Sequence, residues 1–321
     1  MISPALHGAV VEVDQRGLCD LDPSILEKDL LITEVLGLLA GYEWGEVQPV
    51  FCGGTSLSKG YGLIQRMSED IDFKLVLPGG WSKSQTRREM GELRDRLAQR
   101  MREADFALAD EGITAENENR YFCFALGYTP KFPLVAALRA ELRLDFTVHA
   151  PLLQPASVQV KPLLAEFVPL GWEETSLRAV AIDETLVEKL VSFLRRTARW
   201  SEQKKRDPDD EQLVRHLYDV HQLLAVTAQD PPAKQMQQHL FNRTVAGDQL
   251  RFTRKDYLFD SNPHRRLEQA LEQLQSSAEV EELYERFVDE LVWGPAVPFI
   301  EARNGFAALA SELLQGLDSP P

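Results

Sequence analysis

The sequence has few cysteines and no long apolar run. Its 321 residues include three cysteines, Cys19, Cys52 and Cys123. An odd number cannot pair completely and the spacing matches no zinc motif, so we expect reduced, mostly buried thiols and no structural zinc. No stretch approaches the roughly 18 apolar residues of a membrane span, and the first residues lack the basic and apolar regions of a secretory signal. We therefore expect a cytoplasmic protein without membrane partners.

The chain also has too few basic residues for a protein that binds nucleic acid nonspecifically over much of its surface. Its net charge is −15, whereas affinity for polyanions comes largely from phosphate neutralisation by lysine and arginine. Residues 189–206 are the exception, with seven basic side chains against one acidic, a local charge of +6 that leaves −21 for the rest of the chain. Such a stretch is either a solvated helix face or a surface for an anionic partner.

The most informative segment is 53–73, with the sequence GGTSLSKGYGLIQRMSEDIDF. Residues i and i+2 of a strand point to the same face, so Asp70 and Asp72 share one face while Ile71 and Phe73 pack behind them. Two carboxylates at this spacing suit Mg²⁺ or Mn²⁺, which bind few carboxylates together with substrate phosphates. The same alternation is also typical of an ordinary half-buried strand with one wet face.

The start of this segment predicts a phosphate-binding turn. Glycines let backbone N–H groups approach phosphates closely, and hydroxyls and a lysine add further donors. The turn is not a Walker A loop, because Lys59 is followed by Gly60, and it does not fit the dinucleotide fingerprint. The candidate nucleotide-binding residues here are Gly53, Gly54, Thr55, Ser56 and Lys59.

A later strand supplies a candidate third carboxylate. Residues 140–148 alternate between apolar and polar side chains, which places Asp145 on the face opposite Leu144 and Phe146. We predict that Asp145 is a metal ligand and a catalytic residue. The alternative is an ordinary solvated acid on a strand.

Four stretches of the chain resemble motifs of the AbiEii/AbiGii family of abortive-infection nucleotidyltransferase toxins, a branch of the DNA polymerase β-type superfamily. They are LEKD at 26–29, GGTSLSK at 53–59, RMSEDIDF at 66–73, and EKL at 188–190 followed by RHLYDV at 215–220. The two central motifs together are highly specific. The sequence departs from the pattern at His216, where the family usually has Asp.

The resemblance implies a fold class and further site residues. The fold is α+β, with a nucleotidyltransferase core of a mixed β-sheet flanked by helices over residues 1–182 and an all-helical domain over 183–321. Lys189 would reach the nucleotide phosphates, and Asp219 would orient it. Arg196 follows Lys189 by seven residues, two helical turns, and so shares its helix face as a further nucleotide-binding candidate. The predicted catalytic set is Asp70, Asp72, Asp145, Lys189 and Asp219.

The resemblance also implies a Mg²⁺- or Mn²⁺-dependent enzyme that transfers NMP from an NTP to RNA, particularly the 3′ end of tRNA. Pyrophosphate would be released and growth arrested, with a cognate winged-helix antitoxin as partner. One alternative is an aminoglycoside-type antibiotic nucleotidyltransferase, because a charge of −21 outside the basic stretch suits a cationic substrate. Another is a non-catalytic nucleotide-binding regulator, which would require a missing acid, whereas both strand carboxylates are present.

Overall fold

A computed structural model describes residues 2–317 apart from 137, 174, 199–207, 253–258 and 260, and omits the side chains of 208–210. The chain divides into two compact units, Met1–Val180 and Ala181–Pro321. Among the described residues, no helix has the length and apolar character needed to cross a membrane.

The first unit contains a seven-stranded sheet in the order β3-β4-β5-β2-β1-β7-β6. The β2–β5 and β1–β7 pairs are parallel and the other pairs are antiparallel, which confirms the predicted mixed sheet. The strands are β1 (Gln48–Cys52), β2 (Asp70–Val76), β3 (Ile113–Glu116), β4 (Tyr121–Gly127), β5 (Glu141–Val148), β6 (Ala156–Val160) and β7 (Thr175–Ala179). The helices are α1 (Pro4–Gln15), α2 (Pro23–Ala40), the single turn α3 (Gly53–Thr55) and α4 (Lys83–Glu103).

The two faces of the sheet differ sharply across its four central strands. A row of buried phenylalanines crosses one face, with ring centroids 5.4 Å apart for Phe51–Phe73, 5.8 Å for Phe73–Phe146 and 4.8 Å for Phe122–Phe146. A residue adjacent to each phenylalanine lies on the other face, and these residues form a polar row in the order Cys52, Asp72, Asp145 and Cys123. Because side chains alternate along a strand, the aromatic row and the acidic row are positioned by the same register.

Two strands and one helix of the first unit are not predicted from the sequence. Strands β3 and β6 lie at the two edges of the sheet. Strand β3 has no buried residue and β6 buries only Val158 and Val160, so neither short strand carries the apolar signal of a central strand. Helix α1 buries only Val10 and Val13 on one side, and Ser3 caps it by accepting a hydrogen bond from the Leu6 amide over 3.3 Å.

The second unit is helical, as predicted, with no strand among its described residues. Its helices are α5 (Ile182–Thr197), α6 (Arg215–Leu224), α7 (Pro231–Phe252), α8 (Pro263–Ser276), α9 (Ala278–Leu291) and α10 (Phe299–Leu317). The expected single helix over 264–292 is two helices, because the hydroxyl of Ser277 caps α9 at the Val280 amide over 3.3 Å. Helix α7 was not expected from the sequence.

Asp183 has a side chain that favours the N-cap of a helix, which predicts that it caps α5, but the structure shows that this prediction is wrong. Helix α5 has Ala181 at its N-cap without a side-chain hydrogen bond, and Asp183 lies within the first turn. Its carboxylate instead accepts a hydrogen bond from Gln237 on α7 over 3.2 Å. A carboxylate in the first turn still stabilises the helix, because the N-terminal end of the macrodipole is positive.

Candidate active site

The structure brings three predicted carboxylates onto one face of the sheet. Asp70 and Asp72 are half-buried on β2. The residues that alternate with them, Ile71 and Phe73, are buried on the other face. Strands β2 and β5 pair in parallel, with Asp72 directly opposite Asp145. Residues paired in this way have side chains on the same face, so the two strands together present an acidic surface.

Asp145 is held by two neighbours that sequence reasoning missed. The hydroxyl of Tyr121 on β4 donates to Oδ1 over 2.5 Å, and Nε of Arg143 donates to Oδ2 over 3.0 Å. The guanidinium of Arg143 also donates to the Tyr121 hydroxyl over 3.4 Å. The period of two along β5 already places Arg143 on the face of Asp145, and this signal was available in the sequence.

These contacts determine which groups near Asp145 carry a proton. Burial and the Asp145 carboxylate raise the pKa of Tyr121, so its hydroxyl stays protonated and acts as a donor. Burial alone would lower the pKa of Arg143, but the charge of Asp145 and the contacts with Tyr121 and Cys123 together outweigh burial and raise the pKa. Burial and the same carboxylate raise the pKa of the Cys123 thiol to about 12. Asp145 is therefore surrounded by one fixed cation and two protonated groups at neutral pH.

The predicted glycine-rich turn is a short helical segment. Helix α3 continues into one wide π-type turn, Ser56–Gly60, closed by the Tyr61 amide donating to the Ser56 carbonyl over 3.0 Å. The Thr55 hydroxyl donates to the Asp70 carbonyl, and the Ser56 hydroxyl donates to the Gly53 carbonyl over 2.9 Å. Thr55 therefore fixes the segment against β2, whereas Ser56 closes a turn within the segment. Each hydroxyl has a single hydrogen, so neither side chain has a donor left for phosphate.

The two glycines are required by the close approach of β2. Gly53 has φ of 76°, and a Cβ at this position would overlap the carboxylate of Asp72. A Cβ on Gly54 would lie 2.7 Å from both the Arg66 guanidinium and the Ser68 hydroxyl. The segment therefore packs its backbone directly against the acidic strand, which only residues without a side chain permit.

The Glu27-Lys28-Asp29 motif on α2 explains the position of Lys59. All three charged residues are buried. Nζ of Lys59 donates to Oδ1 of Asp29 over 2.5 Å, and the Lys59 side chain is only 6% exposed. Oδ2 of Asp29 accepts from the Leu163 amide over 2.7 Å. The ammonium of Lys59 is thus neutralised inside the first unit, and its predicted contact with phosphate has no support from this geometry.

Lys28 makes the second buried ion pair, with Glu69 immediately before Asp70. Its ammonium also donates to the Arg139 carbonyl over 2.7 Å, and Glu69 accepts from the Arg139 amide over 3.1 Å. Burial lowers the pKa of Lys28, and the nearby carboxylate of Glu69 opposes this shift. Glu27 accepts hydrogen bonds from the Lys131 and Phe132 amides, at 2.9 Å and 3.3 Å.

In the second unit the structure brings Lys189 and Asp219 together. Nζ of Lys189 lies 2.7 Å from Oδ2 of Asp219, and the Asp219 side chain is fully buried. The ring of His216 lies 3.0 Å from the Lys189 carbonyl, and burial and the charge of Lys189 lower the pKa of His216. His216 is therefore neutral, and it adds no charge where the family usually has an acid.

The rest of the basic stretch is described only in part. Arg196 is half-buried on α5. Arg195 is buried and donates to Asp248 over 3.0 Å, with its guanidinium 3.9 Å from the centre of the Phe252 ring. The remaining basic residues, Arg199, Lys204, Lys205 and Arg206, lie outside the described residues. Arg195 is thus a packing residue, so the local charge available to a partner is lower than the sequence count.

The carboxylates on the sheet fit a divalent cation in part. Asp70 and Asp72 provide the few carboxylate oxygens that Mg²⁺ uses when phosphates complete its coordination. Over the ranges that the structure describes, no three Asp, Glu, His or Cys side chains form a ready-made metal site. Each carboxylate oxygen of Asp145 already accepts a hydrogen bond from a protein side chain.

A mixed sheet with an Asp-x-Asp strand beside a glycine-rich helical segment is the architecture of a nucleotidyltransferase. The family model described as the nucleotidyl transferase AbiEii toxin of a type IV toxin-antitoxin system matches residues 45–298. The chain belongs to this family and is a nucleotidyltransferase toxin of such a system, with NTP as substrate, a divalent metal as cofactor and an antitoxin as partner.

A solved structure is also similar to this chain. It is MenT4, nucleotidyltransferase toxin Rv2826c from Mycobacterium tuberculosis H37Rv, with 18% sequence identity and a TM-score of 0.49 over 92% of this chain and 94% of that chain. The search of the curated proteins gave no significant match.

The buried Lys28–Glu69 pair predicts a non-additive effect on stability. Lys28→Met leaves the Glu69 carboxylate buried without its cation and should lower the free energy of unfolding by about 3–5 kcal/mol. Adding Glu69→Leu should recover most of this loss, because an apolar pair needs no compensating charge. Urea denaturation measures both values. As a control, Arg16→Met breaks an exposed ion pair with Glu12 and should cost less than about 1 kcal/mol. Equal losses in the single and double variants would contradict the assignment.

The contact between Gly53 and Asp72 predicts a specific loss of activity. Gly53→Ala and Gly62→Ala both place a side chain at positive φ, 76° and 65°, and each should lose about 1 kcal/mol of stability. Only Gly53→Ala displaces the Asp72 carboxylate, since the space around Gly62 is open within 4 Å. Its transferase rate should fall on the order of a hundredfold while that of Gly62→Ala stays near wild type. Similar rates for the two variants would show that Asp72 tolerates displacement.

Proposed function

We propose that the protein transfers NMP from an NTP to RNA, in particular to the 3′ end of tRNA, and so arrests growth. The observation that carries this proposal is the shared face of Asp70 and Asp72, with Asp145 in register beside them, in a chain of the AbiEii family. In this proposal residues 1–182 form the nucleotidyltransferase domain and 183–321 the helical domain.

We propose that Asp70 and Asp72, together with Asp145, hold the divalent cation, and that it is Mg²⁺ or Mn²⁺. When bound, the cation neutralises charge on the triphosphate and on the departing pyrophosphate. The carboxylates of β2 are suited to this role because they are half-buried on a rigid strand beside the glycine-rich segment. A rigid strand holds ligands more precisely than a loop does.

The remaining chemistry is assigned to side chains of this chain. Asp145 accepts the proton of the attacking hydroxyl, while a bond forms from the acceptor oxygen to the α-phosphorus and the bond to pyrophosphate breaks. Lys189 neutralises phosphate charge, and the buried carboxylate of Asp219 orients its ammonium over 2.7 Å. Arg196 adds a second cation on the same helix.

Gly53 and Gly54 offer a backbone that a phosphate can approach. The side chains of Thr55, Ser56 and Lys59 instead make hydrogen bonds within the protein and support this segment.

The distribution of charge supports RNA as the acceptor. Residues 189–206 carry a local charge of +6 in a chain whose net charge is −15. Phosphate neutralisation supplies much of the affinity for RNA, so a local excess of basic residues marks a contact region even in an acidic protein. The acidity of the rest of the chain favours instead a cationic small molecule, as for an aminoglycoside nucleotidyltransferase, and this is the second candidate function. A small winged-helix protein encoded beside this chain would support the toxin assignment and identify the antitoxin.

The direct test incubates the protein with each labelled NTP, Mg²⁺ and total RNA. We expect label in tRNA with one preferred nucleotide, and we expect Asp72→Ala to lower the rate roughly a thousandfold or more, because the electrostatic stabilisation of the transferred phosphoryl group is lost. Asp110→Ala is the matched control, since its carboxylate is 93% exposed and far along the chain from the acidic strand. Label transferred to aminoglycosides and not to RNA would overturn the RNA proposal, and full activity of Asp72→Ala would overturn the site.

Two basic residues of the second unit should differ in their effects on catalysis and on RNA binding. Lys189→Ala should reduce kcat with little change in RNA affinity, because the proposed contact of Lys189 is with the nucleotide. Lys204→Glu should weaken RNA binding and flatten its dependence on salt, because one phosphate contact is lost. Steady-state kinetics and filter binding at several salt concentrations measure these effects, with Lys234→Ala as control because Lys234 is paired at the surface with Glu312. If both variants only lowered expression, neither residue would have the proposed role in catalysis or RNA binding.

A further inference from the structure

Each carboxylate oxygen of Asp145 has a hydrogen-bond partner on the same side of the sheet. Tyr121 occupies Oδ1 at 2.5 Å and Arg143 occupies Oδ2 at 3.0 Å. The Arg143–Tyr121 hydrogen bond closes a three-membered cluster in which each residue contacts the other two. Only 14% of the Asp145 side chain is exposed, so little of the carboxylate is open to a further ligand.

A guanidinium and a divalent cation compete for such a carboxylate. Arg143 stays charged at every accessible pH, and charge repulsion between two cations at adjacent positions rises steeply at short distance. Arg143 also stands directly opposite Asp70 in the β2–β5 register, so its positive charge is attached within the acidic surface itself. The protein therefore carries its own counter-cation at the position where the proposed function requires a metal ion.

The exposure of Arg143 allows the guanidinium to leave. The Arg143 side chain is 35% exposed, whereas the Asp145 side chain that it contacts is 14% exposed. A long side chain of this kind exchanges rotamers without a change in the backbone. Release breaks the contacts of Arg143, including its hydrogen bonds to Asp145 and Tyr121, and leaves both oxygens of Asp145 accessible once Tyr121 rotates its hydroxyl away.

We propose that Arg143 and Tyr121 form a clamp on Asp145 that competes with the divalent cation, so that Asp145 becomes a metal ligand only after the guanidinium moves off. This inference rests on the proposed function, since it concerns the third carboxylate of that site. Arg143 is a positioning residue in this scheme. Binding of the cation to Asp145 and release of Arg143 from Asp145 are therefore coupled.

Mn²⁺ binding to the full chain, measured by titration with electron paramagnetic resonance and without any nucleotide, tests the clamp independently of activity. Arg143→Met should tighten Mn²⁺ binding on the order of tenfold, because a hydrogen bond to a charged group no longer has to be broken. Tyr121→Phe removes one neutral donor and should tighten binding by about twofold to threefold. Arg143→Lys keeps the charge without the guanidinium fork and should lie between wild type and Arg143→Met.

A double-mutant cycle with Asp145→Asn distinguishes the clamp from a nonspecific effect of removing a positive charge near the metal site. In the Asp145→Asn background, Arg143→Met should give no gain in Mn²⁺ affinity, because the carboxylate for which the guanidinium and the metal compete is absent. A gain of equal size in both backgrounds overturns the clamp, and so does weaker Mn²⁺ binding in Arg143→Met, which would show that Arg143 orients Asp145 for the metal. Thermal unfolding verifies that each variant is folded, and Tyr121→Phe decides the question if Arg143→Met is not.

Failure of the clamp and failure of the proposed function give different results. Wild-type Mn²⁺ binding that Asp72→Ala abolishes supports the metal site, and the Arg143 series then tests the clamp alone. If no Mn²⁺ binding depends on Asp72, the metal site is overturned and the clamp with it.

Discussion

Two buried ion pairs on α2 hold the candidate active site in place. Lys28 pairs with Glu69, the residue before the first acid of β2, and Asp29 pairs with Lys59 at the end of the glycine-rich segment. A buried charge without its partner is costly, so each pair restricts where its segment can lie. Neighbouring residues of one helix thereby fix both the start of the acidic strand and the segment that packs against it. The geometry between the Gly53 backbone and the Asp72 carboxylate depends on this support.

The sheet then separates apolar packing from polar chemistry. The phenylalanine row on one face stabilises the four central strands, and the register that aligns these rings also aligns Asp72 with Asp145 on the other face. A shift of one residue in any of these strands would exchange the two faces. Burial of the aromatic side chains is therefore what keeps the acids together, although like charges placed so close repel one another.

Charges of functional interest are compensated within each unit. Asp145 is paired with Arg143 on the sheet, and Lys189 is paired with Asp219 in the helical unit. Pairing orients such groups, since a fixed partner restricts the rotamers available. The same pairing implies that substrate or metal must compete with an internal partner. His216, neutral beside Lys189, leaves the Lys189–Asp219 pair without a second acid.

Local pattern in the sequence was sufficient for the alternating strands β2 and β5, the long amphipathic helices and the shared face of Asp70 and Asp72, because these depend on periods of two and 3.6 residues. It was insufficient for the edge strands β3 and β6, which have only four and five residues, most of them exposed, and so give too short an apolar signal. The inward direction of Thr55, Ser56 and Lys59, and the clustering of Tyr121 with Asp145, were decided by tertiary structure alone. Hydroxyls and ammonium groups bind whichever partner the fold brings near, and residues 24 or 30 positions apart meet only when strands and helices pack.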